Sequence, residues 1–197
     1  MLSREEGLEL MHEYTASDSL RKHMLAVEGA MRAYAERFGE DVETWGLAGL
    51  MHDFDYERWR NDAHAPDSEH PAEGVLILRA RGVSEPILQA ILGHANYSGV
   101  PRESRMAKAL FAVDELTGLI TATALVRPSR SLNDVDVRSV QKKMKDKAFA
   151  RGCNREDIIG GASELGVDLP EHIQFVLDAM RARADILGLG GVAATPA

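Results

Sequence analysis

The chain has 197 residues, one cysteine and a formal net charge of −8; the length suits a single domain, and one cysteine excludes an intramolecular disulfide and a cysteine-rich zinc site. The negative charge argues against a broad nucleic-acid surface, because sequence-independent phosphate contacts need clustered Lys and Arg side chains. The N-terminal segment lacks the basic-then-apolar order of a secretory signal, and no run approaches the ~18 apolar residues of a membrane span, so we expect a cytoplasmic protein with no membrane or nucleic-acid partner.

The first predicted helix begins at the capping residues 17–19 and ends at Gly39. Apolar residues recur along it at steps of three or four, which is the spacing of a helix with one buried face. A second helix is predicted from about Val42 to His52. Residues 54–67 break the periodicity, and we predict a loop there that hangs over the residues able to bind metal.

Further helices are predicted at about 69–81, 85–94, 102–124 and 135–150, and after the capping residues Asn154 and Asp168. Only the stretch 134–138, DVDVR, is a candidate for extended chain, so the predicted fold class is all-α, a helical bundle. No flexible linker interrupts residues 1–187, which we predict to be a single domain. The apolar-poor tail 188–197 is expected to be disordered.

Six residues carry the functional prediction, and they follow the order His, His-Asp, His, His, Asp. They are His23, His52, Asp53, His70, His94 and Asp114. Apart from the adjacent pair, each comes from a different predicted helix or helix end. Imidazole nitrogens and carboxylate oxygens without thiolates suit Fe, Mn, Zn, Co, Ni or Mg. The set is large enough to hold two divalent metal ions side by side.

Helical spacing places two of these side chains on apolar faces. His94 follows Ile87 and Ile91 at two helical turns and one helical turn respectively, so it points inward. Asp114 shares its face with Leu110, which puts a carboxylate among apolar residues. A buried carboxylate without a partner is costly, and a metal ion would supply the missing charge. A buried salt bridge is the competing explanation for the aspartate, and a hydrogen-bonded core residue is the competing explanation for His23, which shares its face with Val27.

His70 is the least secure member of the set. It precedes Pro71 at the opening of a predicted helix, where an exposed position is the alternative. If His70 does not bind metal, the site becomes mononuclear. His12, His64 and His172 have no place in the pattern.

The pattern resembles that of the HD-domain superfamily, whose core signature is His…His-Asp…Asp. In this chain the signature is met by His23, the pair His52-Asp53, and Asp114. The resemblance covers about residues 15–125 and implies the helical bundle of an HD domain. In that superfamily the core residues hold one divalent metal ion, and members with extra histidines hold two. The resemblance to dinuclear members gives Asp53 the role of bridging the two ions.

The same resemblance implies a phosphohydrolase acting on a nucleotide or another small phosphorylated metabolite. Two divalent ions lower the pKa of bound water and clamp the oxygens of a phosphoryl displacement. Asp53 and Asp55 are the predicted catalytic carboxylates, and Asp55 is expected to orient a histidine or the water.

Basic side chains are expected to neutralise the phosphate of a small anionic substrate. The candidates are Arg21, Lys22, Arg102, Arg105, Lys142, Lys143 and Lys145. For each of them, an ordinary solvated surface charge is the alternative.

Other functions stay open beside hydrolysis. A diiron oxygenase that cleaves a C–C or C–P bond uses nearly the same ligands, although the spacing of Glu13 and Tyr14 to His23 does not match that branch. The glycine-tyrosine-proline element of the HD-GYP group is absent, because FDYERW follows the His-Asp pair. A non-catalytic HD module that binds a nucleotide is a third reading. Homodimers are the commonest soluble oligomers, and no heptad pattern decides whether this chain forms one.

Overall fold

The computed structural model of the protein describes residues 2–191. Throughout that range the regular structure is helical, with no β-strand and one isolated bridge between Ser131 and Gly190. The predicted all-α class is therefore confirmed. No helix in the described part of the chain is long and apolar enough to cross a membrane. The residues divide into two compact units, Met1–Phe111 and Ala112–Ala197, so the single-domain assignment of residues 1–187 stays a prediction.

Among the described residues, the first unit contains five complete α-helices and the start of a sixth. They are α1 (Arg4–Tyr14), α2 (Asp18–Phe38), α3 (Val42–Met51), α4 (Ala72–Ala80), α5 (Glu85–His94) and α6 (Arg105–Leu125). The second unit contains the remainder of α6 together with α7 (Val137–Lys145), α8 (Arg155–Leu165), α9 (Leu169–Arg181) and α10 (Ala184–Leu187).

Local capping explains where the first helices begin and end. Ser17 accepts a hydrogen bond from the amide of Leu20 at the start of α2, and Gly39 adopts the left-handed conformation that ends it. Helix α1 is absent from the predicted elements, although Ser3 and Glu6 form the reciprocal capping box that marks its start. The bounds predicted for the helices that became α2, α3 and α5 agree with the structure to within about two residues.

A close approach of α2 and α3 brings two of the predicted ligands onto neighbouring helices. A β-carbon on Gly49 would lie 2.9 Å from the α-carbon of Glu28, so only glycine allows this packing. The carboxylate of Glu28 is fully buried and is paired with Arg4 from α1 and Arg32 from α2. The buried carboxylate thus joins α1 to α2, and Arg32 continues the network to α3 through its pair with the exposed Glu43 at 2.7 Å.

The loop after α3 is fastened to the connection between α1 and α2. The carboxylate of Glu57 accepts hydrogen bonds from the amides of Ala16 and Ser17, at 2.7 and 2.8 Å. The hydroxyl of Thr15 donates to the carbonyl of Phe54 at 3.0 Å. These bonds anchor the loop to the residues that lead into α2.

The second unit is built around α9. Arg181 donates hydrogen bonds to the carbonyls of Leu132 and Val135 at 3.2 and 2.6 Å. The side chain of His172 is fully buried and its Nε2 lies 2.9 Å from the carbonyl oxygen of Ala112. Arg181 thus fixes the connection that leads from α6 to α7, and His172 is a core residue of this unit.

Two segments of the second unit differ from the predicted elements. The helix predicted over about 135–150 is α7, which is shorter because the capping box of Asp136 sets its start and the chain leaves helical geometry at Asp146. In the tail that was expected to be disordered, Leu189 is 3% exposed and its carbonyl accepts a hydrogen bond from the amide of Leu132. Residues 192–197 of that tail lie outside the described residues.

Candidate metal centre

One carboxylate lies between two pairs of histidines. Oδ1 of Asp53 is 3.2 Å from Nε2 of His70 and 3.5 Å from Nε2 of His94. Oδ2 of Asp53 is 3.4 Å from Nε2 of His52 and 3.7 Å from Nε2 of His23. Each carboxylate oxygen therefore faces the imidazoles of a different pair, as a carboxylate does when it bridges two ions.

Within each pair the two imidazoles face each other through the same ring nitrogen. Nε2 of His23 lies 3.3 Å from Nε2 of His52, and Nε2 of His70 lies 3.3 Å from Nε2 of His94. The ligand atoms offered by Asp53, His70 and His94 all lie within 4.8 Å of one another, close enough to share one metal ion.

In three of the histidines the other ring nitrogen, Nδ1, lies within hydrogen-bonding distance of an acceptor. Nδ1 of His52 lies 2.8 Å from the carbonyl oxygen of Gly49, and Nδ1 of His94 lies 2.5 Å from the carbonyl oxygen of Ile91. Nδ1 of His70 lies 2.7 Å from a carboxylate oxygen of Asp55. A carbonyl or carboxylate oxygen only accepts, so these bonds assign the proton to Nδ1 and leave a lone pair on Nε2 when the ring is neutral.

This assignment tests whether the residues fit a metal ion. With Nδ1 protonated, the Nε2 atoms of His52, His70 and His94 carry lone pairs and converge on carboxylate oxygens, which carry lone pairs as well. Acceptors at 3.2 to 3.5 Å from one another repel unless a cation lies among them. The donor set therefore fits divalent metal ions, with the tautomers fixed from outside as in known metal sites.

The electrostatics of the centre favour positive charge. Burial lowers the pKa of His70, but hydrogen bonds with Asp53 and Asp55 outweigh it and raise that pKa to about 9. Burial also raises the pKa of Asp53, yet its electrostatic interaction with His52 and its hydrogen bonds with the imidazoles hold it well below its usual value. In the metal-free protein a proton takes the place of the cation that this centre attracts.

His70 is not a surface residue at a helix start, because it is 2% exposed. Asp55, at 1% exposure, holds its Nδ1 and also accepts a hydrogen bond from the amide of Gly74 at 2.9 Å. The hydroxyl of Tyr97 donates to the carbonyl oxygen of His70 at 2.6 Å. A β-carbon on Gly74 would lie 2.6 Å from the carboxyl carbon of Asp55, so this position requires glycine.

Sequence reasoning identified Asp55 as a residue that could orient a histidine, and missed Gly74 and Tyr97. Tyr97 acts through its contact with a backbone carbonyl, 27 residues away in sequence, and no motif marks such a contact. Asp114 belongs to the second unit, on α6. Its role as the sixth ligand stays a prediction.

The first two cations predicted to bind substrate already have protein partners. Nε of Arg21 donates to the carbonyl of Thr15 at 2.7 Å, and the ammonium of Lys22 pairs with the carboxylate of Asp18 at 2.7 Å. Arg21 thus bonds to the segment that precedes α2, and Lys22 pairs with the first residue of α2.

The same holds for the cations that follow α5. Arg102 donates to the carbonyl oxygen of Gly93 at 2.8 Å, and its guanidinium lies 3.6 Å from the ring centroid of Phe111. Arg105 lies 3.6 Å from the carboxylate of Glu40. The three remaining candidates, Lys142, Lys143 and Lys145, lie on α7 in the second unit. For all seven cations the substrate-binding role stays a prediction.

Comparison with known proteins agrees with the pattern of the site. The family model described as HD domain matches residues 20–119, just over half of the chain. This span contains all six predicted ligands. No solved structure matches the chain.

Proposed function

The chain belongs to the HD domain family, whose members are largely metal-dependent hydrolases, and from this membership we propose that it is a phosphohydrolase. The substrate is the phosphate ester of a nucleotide or of another small phosphorylated metabolite. The observation that carries the proposal is the position of Asp53 between two imidazole pairs, each facing one carboxylate oxygen.

The residues that would hold the ions follow from that arrangement. His70, His94 and one oxygen of Asp53 form one group. His23, His52 and the other oxygen contribute to a second group, for which Asp114 is the further predicted ligand. When bound, two divalent ions supply a water of lowered pKa and positive charge against the phosphate.

The protein residues around the centre hold protons in fixed places. Asp55 keeps a proton on Nδ1 of His70, and the carbonyls of Gly49 and Ile91 do the same for His52 and His94. Each ring is thereby oriented with Nε2 toward Asp53. Asp55 is a positioning residue in this proposal, because its contacts reach the centre through His70.

Among the cations predicted to neutralise the phosphate, Arg102 is distinguished by its place beside a predicted ligand, although the same bond gives its guanidinium a structural role. Its guanidinium bonds to the carbonyl of Gly93, the residue immediately before His94. An arginine is suited to a phosphate group because its planar fork can donate two parallel hydrogen bonds. We therefore include Arg102 as the first phosphate-binding residue to test.

The test combines metal analysis with turnover. Full-length protein purified anaerobically is analysed for metal ions per chain, and then assayed with Mn²⁺ for phosphate release from nucleotides and sugar phosphates. We expect about two ions per chain, and in Asp53→Asn a loss of turnover of at least two orders of magnitude. His12→Ala, an exposed histidine of α1, serves as the matched control and should retain wild-type rates.

Two results would contradict the proposal. Two iron ions per chain, with O2 consumption and no phosphate release from any ester, would favour the diiron oxygenase. Nucleotide binding that survives His52→Ala, without turnover in either protein, would favour a binding module.

A further inference from the structure

A cavity of about 310 Å³ lies in the second unit, between the end of α6 and one face of α7. Its lining residues are Thr123, Val126, Arg127, Ser139, Lys142, Lys143 and Asp146. All of them follow Ala112, so the cavity is formed entirely within this unit. Its volume is at the lower end of the range of small-molecule sites, roughly 300 to 1,000 Å³.

The lining residues come from two segments of the chain, and in each segment they are three and four residues apart. Positions 139, 142 and 143 lie three and four residues apart, so their side chains share one face of α7. Positions 123, 126 and 127 repeat that spacing at the end of α6 and just beyond it. Side chains from two separate elements therefore converge on one cavity.

The charge in the cavity is predominantly positive. Three cations, Arg127, Lys142 and Lys143, face a single carboxylate, Asp146. Across residues 2–191, neither the guanidinium of Arg127 nor the ammonium of Lys142 forms an ion pair or a side-chain hydrogen bond. Lys143 lies 4.0 Å from the ring centroid of Phe149. Among the described residues the side chains of Arg127 and Lys142 have no hydrogen-bonding acceptor, although Arg127 interacts through its charge with Asp136 at the start of α7.

The neutral polar groups of the lining are already bonded. The hydroxyl of Ser139 donates to the carbonyl of Asp136, and the hydroxyl of Thr123 donates to the carbonyl of Leu119. The donors left for a ligand are therefore the cations. Val126, which is 57% exposed, adds an apolar wall beside them.

The helix dipole alone does not account for this arrangement. Lysines in the last turn of α7 are favourable because the C-terminal carbonyls of a helix carry partial negative charge. That effect would explain Lys142, Lys143 and Lys145 equally well. It does not explain why Arg127, from another element, lines the same cavity as Lys142.

We propose that this cavity binds the phosphate group of a small phosphorylated metabolite, held between the guanidinium of Arg127 and the ammonium of Lys142, with Val126 against the body of the ligand. The phosphate arrives either on the substrate of the proposed hydrolase or on a separate effector. The binding itself does not depend on the metal centre, because first-unit residues do not line the cavity.

Inorganic phosphate is the probe for the test, titrated into ¹⁵N-labelled full-length protein loaded with Zn²⁺. We expect saturable shifts of the backbone amides of residues 123–127 and 139–146. The double variant Arg127→Gln with Lys142→Gln should weaken phosphate binding at these amides at least tenfold. The matched control, Arg138→Gln with Lys147→Gln, removes the same two charge types from exposed positions outside the lining and should weaken binding less than twofold.

Equal weakening by both double variants would overturn the proposal, since it would show attraction by diffuse charge alone. Amide shifts confined to the first unit would overturn it as well. The titration is repeated in Asp53→Asn, where retained binding at the cavity separates this proposal from a failure of the proposed hydrolase. If hydrolysis is found, a raised KM in the Arg127/Lys142 double variant identifies the substrate as the ligand, and an unchanged KM identifies an effector.

Discussion

One oxygen of the Asp55 carboxylate lies 2.7 Å from Nδ1 of His70, and the other accepts a hydrogen bond from the amide of Gly74 at 2.9 Å. This contact decides the tautomer of His70, because an ionised carboxylate can only accept. The lone pair on Nε2 is then directed toward Asp53, 3.2 Å away. Two carboxylates thus act on opposite sides of one imidazole.

Replacing Asp55 by Asn should weaken metal binding without unfolding the protein. The amide can donate to Nδ1 and so favours the tautomer that carries its proton on Nε2, which removes the lone pair from the centre. We expect the metal affinity to fall about 10- to 100-fold, measured by competition with a chromophoric chelator. Asp62→Asn, an exposed residue of the same loop, is the control. Equal affinities of the Asp55 variant and the wild type would show that this carboxylate does not set the tautomer.

Gly74→Ala should disturb the same contact from the other side. The added methyl group would lie 2.6 Å from the carboxyl carbon of Asp55, so the carboxylate must move from His70. We expect a lower melting temperature and weaker metal binding. Gly160→Ala in α8, where the methyl group meets no atom within 4 Å, should instead be neutral or stabilising by up to ~1 kcal/mol. If both glycine substitutions changed the stability in the same direction, the structure described around Asp55 would be contradicted.

The stability of the metal-free protein should fall as pH rises above neutrality. The pKa of His70 is raised to about 9, above the ordinary value near 6.5, so protonation stabilises the folded state. That contribution is fully present below pH ~6.5 and is lost as pH rises through about 9. It amounts to at most about 3 kcal/mol. Urea unfolding with a chelator, at pH 6, 7.5 and 9, measures the change.

The matched variant for this measurement is His70→Gln, in which the decline between pH 6.5 and 9 should be reduced. A wild-type free energy of unfolding that stays constant across this interval would contradict the predicted effect. The lowered pKa of Asp53 acts in the opposite direction and at lower pH. Its contribution is present above the ordinary carboxyl pKa and is lost as pH falls below it.

Arg4→Ala should destabilise the first unit more than an exposed ion pair would. Arg4 forms two hydrogen bonds with the buried carboxylate of Glu28, at 2.5 and 3.0 Å. Its removal leaves part of a buried charge unsatisfied, which costs about 2 kcal/mol in the free energy of unfolding. Arg79→Ala breaks an exposed pair with Glu85 and should cost under ~1 kcal/mol. Chemical denaturation of both variants compares the two costs, and similar values would show that the Glu28 network contributes no more than a surface pair.

Much of the helical structure is predictable because its signals are local. The caps Ser17 and Gly39 fix α2 within the sequence itself. The exit from α7 at Asp146 has no comparable glycine or proline, so periodicity alone extended the predicted helix too far. The bonding of Leu189 to Leu132 joins residues distant in sequence, and composition favoured disorder there.

The candidate site also has a part that the sequence predicts and a part that it does not. The histidines and Asp53 can be identified from the sequence alone, because their order along the chain is the pattern of a family. Whether a cation is engaged with the protein depends on tertiary contacts. Arg21 and Arg102 donate to backbone carbonyls, which leave no trace in composition or periodicity. Charge in the sequence therefore identified candidates without separating structural cations from ligand-binding ones.

The hydrogen bonds that Glu57 accepts from the amides of Ala16 and Ser17 join the loop of Asp53 and Asp55 to the start of the helix that carries His23. The ligands are thereby preorganised, because protein bonds rather than coordination bonds set their positions. An incoming ion loses little affinity to ordering the chain. This differs from small zinc domains, in which metal binding and folding are one event. Chelation should therefore empty the centre reversibly, and one apoprotein could be reloaded with each candidate metal in turn.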